Sequence, residues 1–339
     1  MQPVNPSVDY KPYISIIIPT YNRSKLLGIT IESFIKQRYP KDKYEIIVAD
    51  NNSSDNTKDI VAEWQSNSTV NIKYIFERRP GVHYARNSAA KIAVGEILYF
   101  TDDDMVADHN LLSEIIKPFE FDEEVGTATG RVLPKWESPP PPWLVKHCYN
   151  QFLSLNDPPE EFIISKKDCN VFSCHQAVRK TVFFEAGGFN PENTAGVWIG
   201  DGETGLNIKI KKLGYKYGFN GNSITHHIIP PDRMTQGYLN RRIGNAGFCD
   251  SYTEYRKNIP SNWGVVSNAL RRTFVSAPVK VFGYLVLSLL RKDFGYLRFC
   301  SAYFNYYLKR NIYDVKIITS EGWRKMVLRS DWLSDDEED

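Results

Sequence analysis

Along its first hundred residues the chain alternates between two rhythms. Residues 13–18 (YISIII), 44–49 (YEIIVA) and 97–100 (ILYF) are apolar runs, rich in isoleucine and aromatics, of a length suited to strands buried on both faces. Between the first two, Leu26, Leu27, Ile31, Phe34 and Ile35 share one helical face over residues 24–38, with Ser24 as a candidate cap. A second helix is expected over residues 56–65 and a further strand over 71–76. Strand, helix, strand, helix at this spacing predicts an α/β fold with a parallel sheet and right-handed crossovers. Ligands of such sheets collect beyond the carboxyl ends of the strands. Residues 20–23 (TYNR), 50–55 (DNNSSD) and 102–104 (DDD) all fall at those ends and would line one crevice.

The acidic triplet is the most pointed of these stretches. Adjacent carboxylates repel one another, and a nearby cation relieves the repulsion. An all-oxygen cluster suits a hard ion such as Mg²⁺ or Mn²⁺, which in turn favours a phosphate-bearing ligand. An acidic loop open to water would read the same way. No G-x-G-x-x-G follows the first strand and no G-x-x-x-x-G-K-[ST] occurs, so a nucleotide here would be held by carboxylates, a metal and loop backbone. Upstream of the triplet, Gly81 permits a tight turn, and Arg86 and Asn87 are expected to open a helix running through Val94. An arginine near a helix start suits a diphosphate, or equally a surface ion pair.

Farther on, residues 131–167 include Pro139, Pro140, Pro141, Pro142 and Trp143, which fit a stiff flap over the crevice or a variable insertion. A strand is expected over residues 172–179, a helix from Thr204 closed by Gly214, and a strand over 217–224 followed by His226 and His227. Beyond Arg242, amphipathic helical stretches alternate with basic residues. Ten uncharged residues separate Lys280 from Arg291, too few to span a bilayer, and no stretch offers about 18 consecutive apolar residues. These helices would lie on a membrane face or pack against the rest of the chain. Residues 335–339 form an acidic tail, expected to be disordered.

Composition narrows the setting. At 339 residues with 42% apolar and 24% charged residues, the chain reads as a folded soluble protein of one large domain, alone or with an appendage. A net charge of +2, without a reading helix or stacking motif, gives no case for nucleic acid. Charge is uneven, however: residues 241–330 carry 16 Lys/Arg against 5 Asp/Glu, an excess of 11. Cys148, Cys169, Cys174, Cys249 and Cys300 are odd in number and irregularly spaced, which argues against a disulfide framework or zinc site and for a reducing compartment. Residues 1–12 lack the apolar core of a signal peptide, so a cytoplasmic location is expected.

Taken together and in order, residues 19–23 (PTYNR), 48–55 (VADNNSSD), 81–87 (GVHYARN) and the triplet at 102–104 resemble the family 2 glycosyltransferases. The likeness spans about residues 13–242. It implies the GT-A fold, a Rossmann-like, mostly parallel central sheet flanked by helices, here with an α-helical C-terminal extension. The expected divisions are a tail (1–12), a catalytic domain (13–245, with a nucleotide-binding half at 13–105 and an acceptor half at 106–245), a helical region (246–330) and an acidic tail (331–339).

The resemblance also implies roles. Pro19, Thr20, Tyr21, Arg23, Asp50, Asn52, Arg86, Asp102 and Asp103 would bind the nucleotide-sugar. Within that set Thr20 and Tyr21 would cradle base and ribose, Asp50 would hydrogen-bond a base (commonly uracil), and Arg86 would sit near the diphosphate. Asp50 and Asp55 also fit plain turn and cap residues. Mn²⁺ or Mg²⁺ would be held by Asp104 directly, by Asp102 facing the ribose or through water, and by His227, better placed than His226 relative to Arg233. In the family an acidic pair opens a helix, its second acid being the general base. Glu203 falls on that position, but Gly202 replaces its neighbour and Asp201 is displaced by one, so Glu203 and Asp201 both stand as catalytic candidates. The implied activity is metal-dependent, inverting transfer of a sugar from a nucleotide-diphosphate sugar, UDP-linked by preference. The acceptor would be a hydroxyl of a glycan or lipid-linked molecule in cell-surface polysaccharide synthesis, at the inner face of the cell membrane. A sugar nucleotidyltransferase, or an inactive glycan-binding scaffold, are the alternatives.

Overall fold

The computed structural model describes residues 11–148, 152–191, 200–256 and 259–334. Its centre is a nine-stranded sheet, built from β1 (Ile14–Thr20), β2 (Tyr44–Asp50), β3 (Asn71–Phe76), β4 (Ile97–Thr101), β5 (Met105–Ala107), β6 (Val125–Trp136), β7 (Phe162–Ser165), β8 (His175–Arg179) and β9 (Lys216–Ile229). The spatial order is β3-β2-β1-β4-β8-β6-β9-β5, with β7 also paired to β9. The four strands β3, β2, β1 and β4 run parallel, as the apolar runs predict. From β8 onward directions mix: β8 is antiparallel to β4 and β6, while β6 and β9 are parallel.

Alternation along β1 sorts its side chains between two cores. Ile14, Ile16 and Ile18 pack with Leu27, Ile31 and Phe34 of α1 (Ser24–Ile35) and Val61 of α2 (Thr57–Asn67). Ile17 faces the other way, towards Ala85, Ala89 and Ala90 of α3 (Val82–Ile92). Short helices α4 (Leu111–Ile115) and α5 (Lys117–Phe121) follow β5, α6 (Pro142–Cys148) follows β6, and α7 (Lys180–Glu185) follows β8. Helix α8 (Gly202–Lys212) lies under the same face as α3, with Leu206 and Ile210 in that core. Helices α9 (Gln236–Tyr255), α10 (Asn262–Arg271), α11 (Ala277–Leu290), α12 (Arg298–Thr319) and α13 (Glu321–Leu328) complete the chain.

Several expectations are corrected at element ends. Helix α1 is not capped by Ser24, which is its first residue. Instead Asp55 Oδ2, from the neighbouring loop, accepts the Ser24 N–H at 3.1 Å, and Ser24 Oγ donates to Asn56 at 2.6 Å. Helix α3 starts four residues before Arg86, right after Gly81, whose φ of 138° lies in the left-handed region. His226 and His227 lie inside β9 rather than after it. The proline run does not stay extended, since Pro142 opens α6, a position where its missing N–H costs nothing. Leu144 and Cys148 of that helix are buried in a core shared with Leu239 and Phe299.

Helices α10 and α11 are joined by a wide π turn, Arg272–Ser276, into one 29-residue helix, Asn262–Leu290. Pro278 has no N–H to give the preceding turn, and the widened geometry accommodates it. Reading the sequence as runs broken by Lys280 hid this: the helix is long enough to cross a membrane, and an 18-residue window within it reaches a mean hydropathy of 1.7. The chain then returns to the end of α7 and to α8, where Trp332 N–H donates to Gly187 O at 3.0 Å and Lys209 Nζ to Ser330 O at 3.1 Å. Residues 196–199 and 335–339, singled out in the sequence, lie outside the described residues.

Candidate active site

The strand ends set the site. Thr20 pairs in register with Asp50, and β4 ends beside them at Thr101, so their loops meet along one edge. Asn22, at a left-handed φ of 51°, accepts the Ser54 N–H at 2.7 Å, and Ser53 Oγ accepts the Asn22 N–H at 2.9 Å. Asn51 donates to the carbonyls of Glu77 and Arg79 while its Oδ1 accepts the Gly81 N–H at 2.7 Å, fixing the entry to α3. Asp50 is buried below this edge, accepting from Tyr74 Oη at 2.7 Å and the Ser53 N–H at 2.8 Å. It is absent from the walls of both pockets described next, so its visible work is to shape the turn.

A crevice of roughly 690 Å³ opens over the edge, walled by Pro19, Thr20, Tyr21, Arg23, Asn52 and all three acids of the triplet, together with Asn51, Gly81 and Arg233. Each acid has its own surroundings. Asp103 is buried, with Thr20 Oγ1 donating to Oδ2 at 2.8 Å and Arg23 Nη1 to Oδ1 at 3.0 Å. Burial and the Asp104 charge push its carboxyl above the ordinary range. Asp104 is also buried, but the Arg233 and Arg23 guanidinium groups at its Oδ2 outweigh burial and hold it well below that range. Asp102 is partly exposed and is paired with the buried Arg86.

Arg233 and His227 complete this corner. Arg233 Nη2 reaches Asp104 Oδ2 at 2.9 Å while its Nη1 lies 2.6 Å from His227 Nε2. The guanidinium has only donors and His227 Nδ1 faces the Leu153 carbonyl at 2.7 Å, so Nδ1 carries the proton and Nε2 accepts. His227 Nε2 and Asp104 Oδ2 are 3.6 Å apart. His226, its neighbour along the strand, projects to the opposite face. Among the described residues no group of three His, Cys, Asp or Glu side chains converges tightly enough for a closed metal cage. The pair Asp104 and His227 does fit an open site. Asp104 Oδ1 is buried without a hydrogen-bond partner, and hard divalent ions of phosphate enzymes take one or two carboxylates and draw their remaining ligands from phosphate and water. The histidine nitrogen facing the acid is the unprotonated one, oriented by a carbonyl on the other.

A second pocket, of about 250 Å³, adjoins the first and shares Val82, Asp102 and Arg233 with it. Arg86 anchors its floor. Arg86 donates to Ser173 Oγ at 2.9 Å and to His83 Nδ1 at 3.2 Å, and lies 5.6 Å over the Phe189 ring. Burial, then the Arg86 charge, push His83 down to about 3, so its imidazole is neutral. Ser173 Oγ also lies 2.5 Å from Glu203 Oε2, which lines this pocket in the first turn of α8, where the positive end of the helix favours a carboxylate. Asp201 is elsewhere. It is 1% exposed, accepts from Asn190 at 2.6 Å and Thr253 at 2.9 Å, and has Arg256 Nε at 3.3 Å, which ties the start of α8 to α9.

Ser173, His83 and Asn51 went unread in the sequence. For Ser173 the available signal was a polar residue ahead of an apolar strand, masked by starting that strand at Phe172; β8 begins at His175. Arg242 lines the second pocket as well, as does Tyr238, which the sequence did not single out.

Comparison with known proteins bears on this geometry. A sequence model of the family described as glycosyl transferase family 2 matches residues 15–185. The chain is 38% identical over 103 residues to a poly(ribitol-phosphate) beta-glucosyltransferase of Bacillus spizizenii, a match covering 29% of this chain and 16% of that protein. Matches to three other curated relatives cover 25%, 26% and 31% of their lengths, so the resemblance spans a third or less of each. In structure, a mannosyltransferase from Pyrobaculum calidifontis, solved with GDP-Man and Mn²⁺, covers 90% of this chain and 88% of its own at a TM-score of 0.62 and 18% identity. GalNAc-T7, solved with UDP, GalNAc and Mn²⁺, covers 70% and 48% at 0.52 and 18%. At that identity the likeness is one of fold, and the fold of these neighbours is GT-A. With half its length under the family pattern and the triplet at the carboxyl edge of a GT-A sheet, this chain belongs to glycosyl transferase family 2.

Proposed function

We propose that the protein transfers a sugar from a nucleotide-diphosphate donor, UDP-linked by preference, to a hydroxyl of a glycan or lipid-linked acceptor, with inversion at the anomeric carbon. The observation that carries this reading is the pair of adjoining pockets. One is walled by the acidic triplet, the other holds Glu203, and Asp102 and Arg233 stand in both. The larger crevice takes the donor, with Thr20, Tyr21 and Asn52 along the nucleoside, and with Arg23 and Arg233 of its own wall and Arg86 of the adjoining pocket supplying positive charge for the diphosphate. Asp104 and His227 would hold Mn²⁺ or Mg²⁺. When bound, that ion neutralises charge on the departing diphosphate.

Glu203 is the base. Held by Ser173 through Oε2, it takes the proton from the acceptor hydroxyl as that oxygen attacks the anomeric carbon from the face opposite the diphosphate. A single in-line displacement needs no enzyme nucleophile. Asp201, saturated by three partners and outside both pockets, serves the fold in this scheme. Support for a divalent ion also comes from the Mn²⁺ in both structural neighbours, and for a polymer as acceptor from the poly(ribitol-phosphate) beta-glucosyltransferase of Bacillus spizizenii. The neighbours carry different nucleotides, GDP-Man in one and UDP in the other, so the panel below includes both bases.

The test is a thermal-shift panel of UDP- and GDP-sugars and their diphosphates, with and without Mn²⁺, on wild type and Glu203→Gln. A ligand that binds only the folded state raises Tm by mass action. The expected result is a Mn²⁺-dependent shift with one donor, kept in Glu203→Gln while transfer is lost. Absence of a shift with every donor, or full transfer by the variant, overturns the scheme.

A further inference from the structure

Helix α11 leaves an unusual face bare. At 100° per residue, Val275, Val279, Phe282, Leu285, Leu289 and Leu290 fall on one side. Val279 is 67% exposed, Phe282 66%, Leu289 73% and Leu290 77%, and no charged side chain interrupts the strip. The opposite side is committed to α12. The Tyr284 ring stacks on Phe299 at 5.1 Å and Tyr303 at 5.4 Å, Ser288 is buried, and the Lys280 ammonium lies over the Tyr303 ring at 4.9 Å. Helix α12 adds exposed Phe304, Leu308 and Val315 on the side turned from α9. A contiguous apolar surface of this kind is rarely left to water.

We propose that this face beds into the surface layer of a membrane containing anionic lipids, with α11 lying parallel to the membrane plane. Charge complementarity selects this occupant. Exposed Arg271 stands at one end of the strip and exposed Arg291 and Lys292 at the other, within the stretch of 16 Lys/Arg against 5 Asp/Glu. An apolar strip ending in cations matches hydrocarbon flanked by acidic headgroups. A second copy is a poor occupant, because a two-fold contact would bring cationic strip ends together, and the strip has no polar group to fix a register. Although Asn262–Leu290 has the length to cross a bilayer, its inner face is held by α12, so the helix offers lipid one side and not its whole circumference. The inference deepens the placing of the enzyme at a membrane and is independent of the donor assignment.

The test is co-sedimentation of the full chain with vesicles of phosphatidylcholine alone and with 30% phosphatidylglycerol, at low and high salt. Binding is expected to the anionic vesicles, weakened by high salt, and lowered about tenfold or more in Phe282→Glu/Leu289→Glu and in Arg291→Glu/Lys292→Glu. Both pairs are exposed, and an unchanged melting temperature and donor-induced shift would show that the variants are folded. Wild type left in the supernatant with every vesicle, or variants that bind as well as wild type, overturns the proposal. So does a wild-type dimer in solution that the Phe282/Leu289 variant dissociates without any vesicle binding. Resistance to alkaline carbonate extraction would replace the parallel placement with a spanning one.

Discussion

Arg233 sits where a divalent ion would have to compete with it. Its two terminal nitrogens reach Asp104 Oδ2 and His227 Nε2, the two atoms best disposed to hold a metal. Removing the guanidinium leaves Asp103 and Asp104 with one fewer counter-charge, which strengthens their demand for another cation. Arg233→Gln is therefore expected to bind Mn²⁺ several-fold more tightly in the absence of nucleotide, and nucleoside diphosphate more weakly. Mn²⁺ titration followed by electron paramagnetic resonance reads the first, and calorimetry the second. Unchanged Mn²⁺ affinity would show that the arginine does not contest the site. Asp201 carries a different kind of prediction. Asp201→Asn should keep donor binding but lose about 1–3 kcal/mol of stability in urea titrations, because it weakens charge-assisted bonds to buried partners. The sequence could name Glu203 and Asp201 as a pair, since both lie at one helix start. Separating them needed the partners of Asp201 from α9, some fifty residues away.

The same limit operates between elements. Buried strands were legible because β1, β2 and β4 are hydrophobic on both faces, but the start of α1 was not, because its cap arrives from across a loop at Asp55. Helix α9 packs along α12 through Gly247, where an added Cβ would lie 2.2 Å from the Tyr306 carbonyl oxygen. The backbone there has no room to give, so Gly247→Ala should push the two helices apart and cost roughly 1–3 kcal/mol. A clear fall in Tm is expected, against no fall and a small rise for Gly283→Ala, where nothing stands within 4 Å and alanine is the better helix former. The parallel half of the sheet could be foreseen. The mixed half could not, since β5 has three residues, β7 four, and β9 runs past a register shift opposite Gly130 and Arg131.

For the whole molecule, acid is the informative stress. His175 is fully buried at the seam between β4 and β6, 2.6 Å from Tyr99 Oη through Nδ1 and 3.1 Å from the Ser223 carbonyl through Nε2. Burial pushes it down to about 4 from an ordinary 6.5. Between those values the unfolded chain takes up a proton that the native protein refuses, so stability is lost as pH falls through that window, by up to about 1.4 kcal/mol per pH unit. His175→Gln should be less stable than wild type at pH 7.5, yet lose about 2 kcal/mol less on going to pH 5, as urea midpoints would report. An identical pH slope in the variant would assign the acid sensitivity to other groups. The family pattern ends at residue 185, short of Glu203, His227 and Arg233, which reach the site only through α8, β9 and the turn after it.

The wall shared by the two pockets has one further consequence. Asp102 and Arg233 border both, so whatever neutralises or displaces them from one side alters the field felt on the other. On the proposed reading of the two pockets, binding in one is expected to depend on occupancy of its neighbour, and the dependence is reciprocal: if donor tightens acceptor by some factor, acceptor tightens donor by the same factor. Measured as a thermodynamic cycle with an unreactive donor analogue, that factor is a property of the wall itself, and Asp102→Asn should bring it towards one.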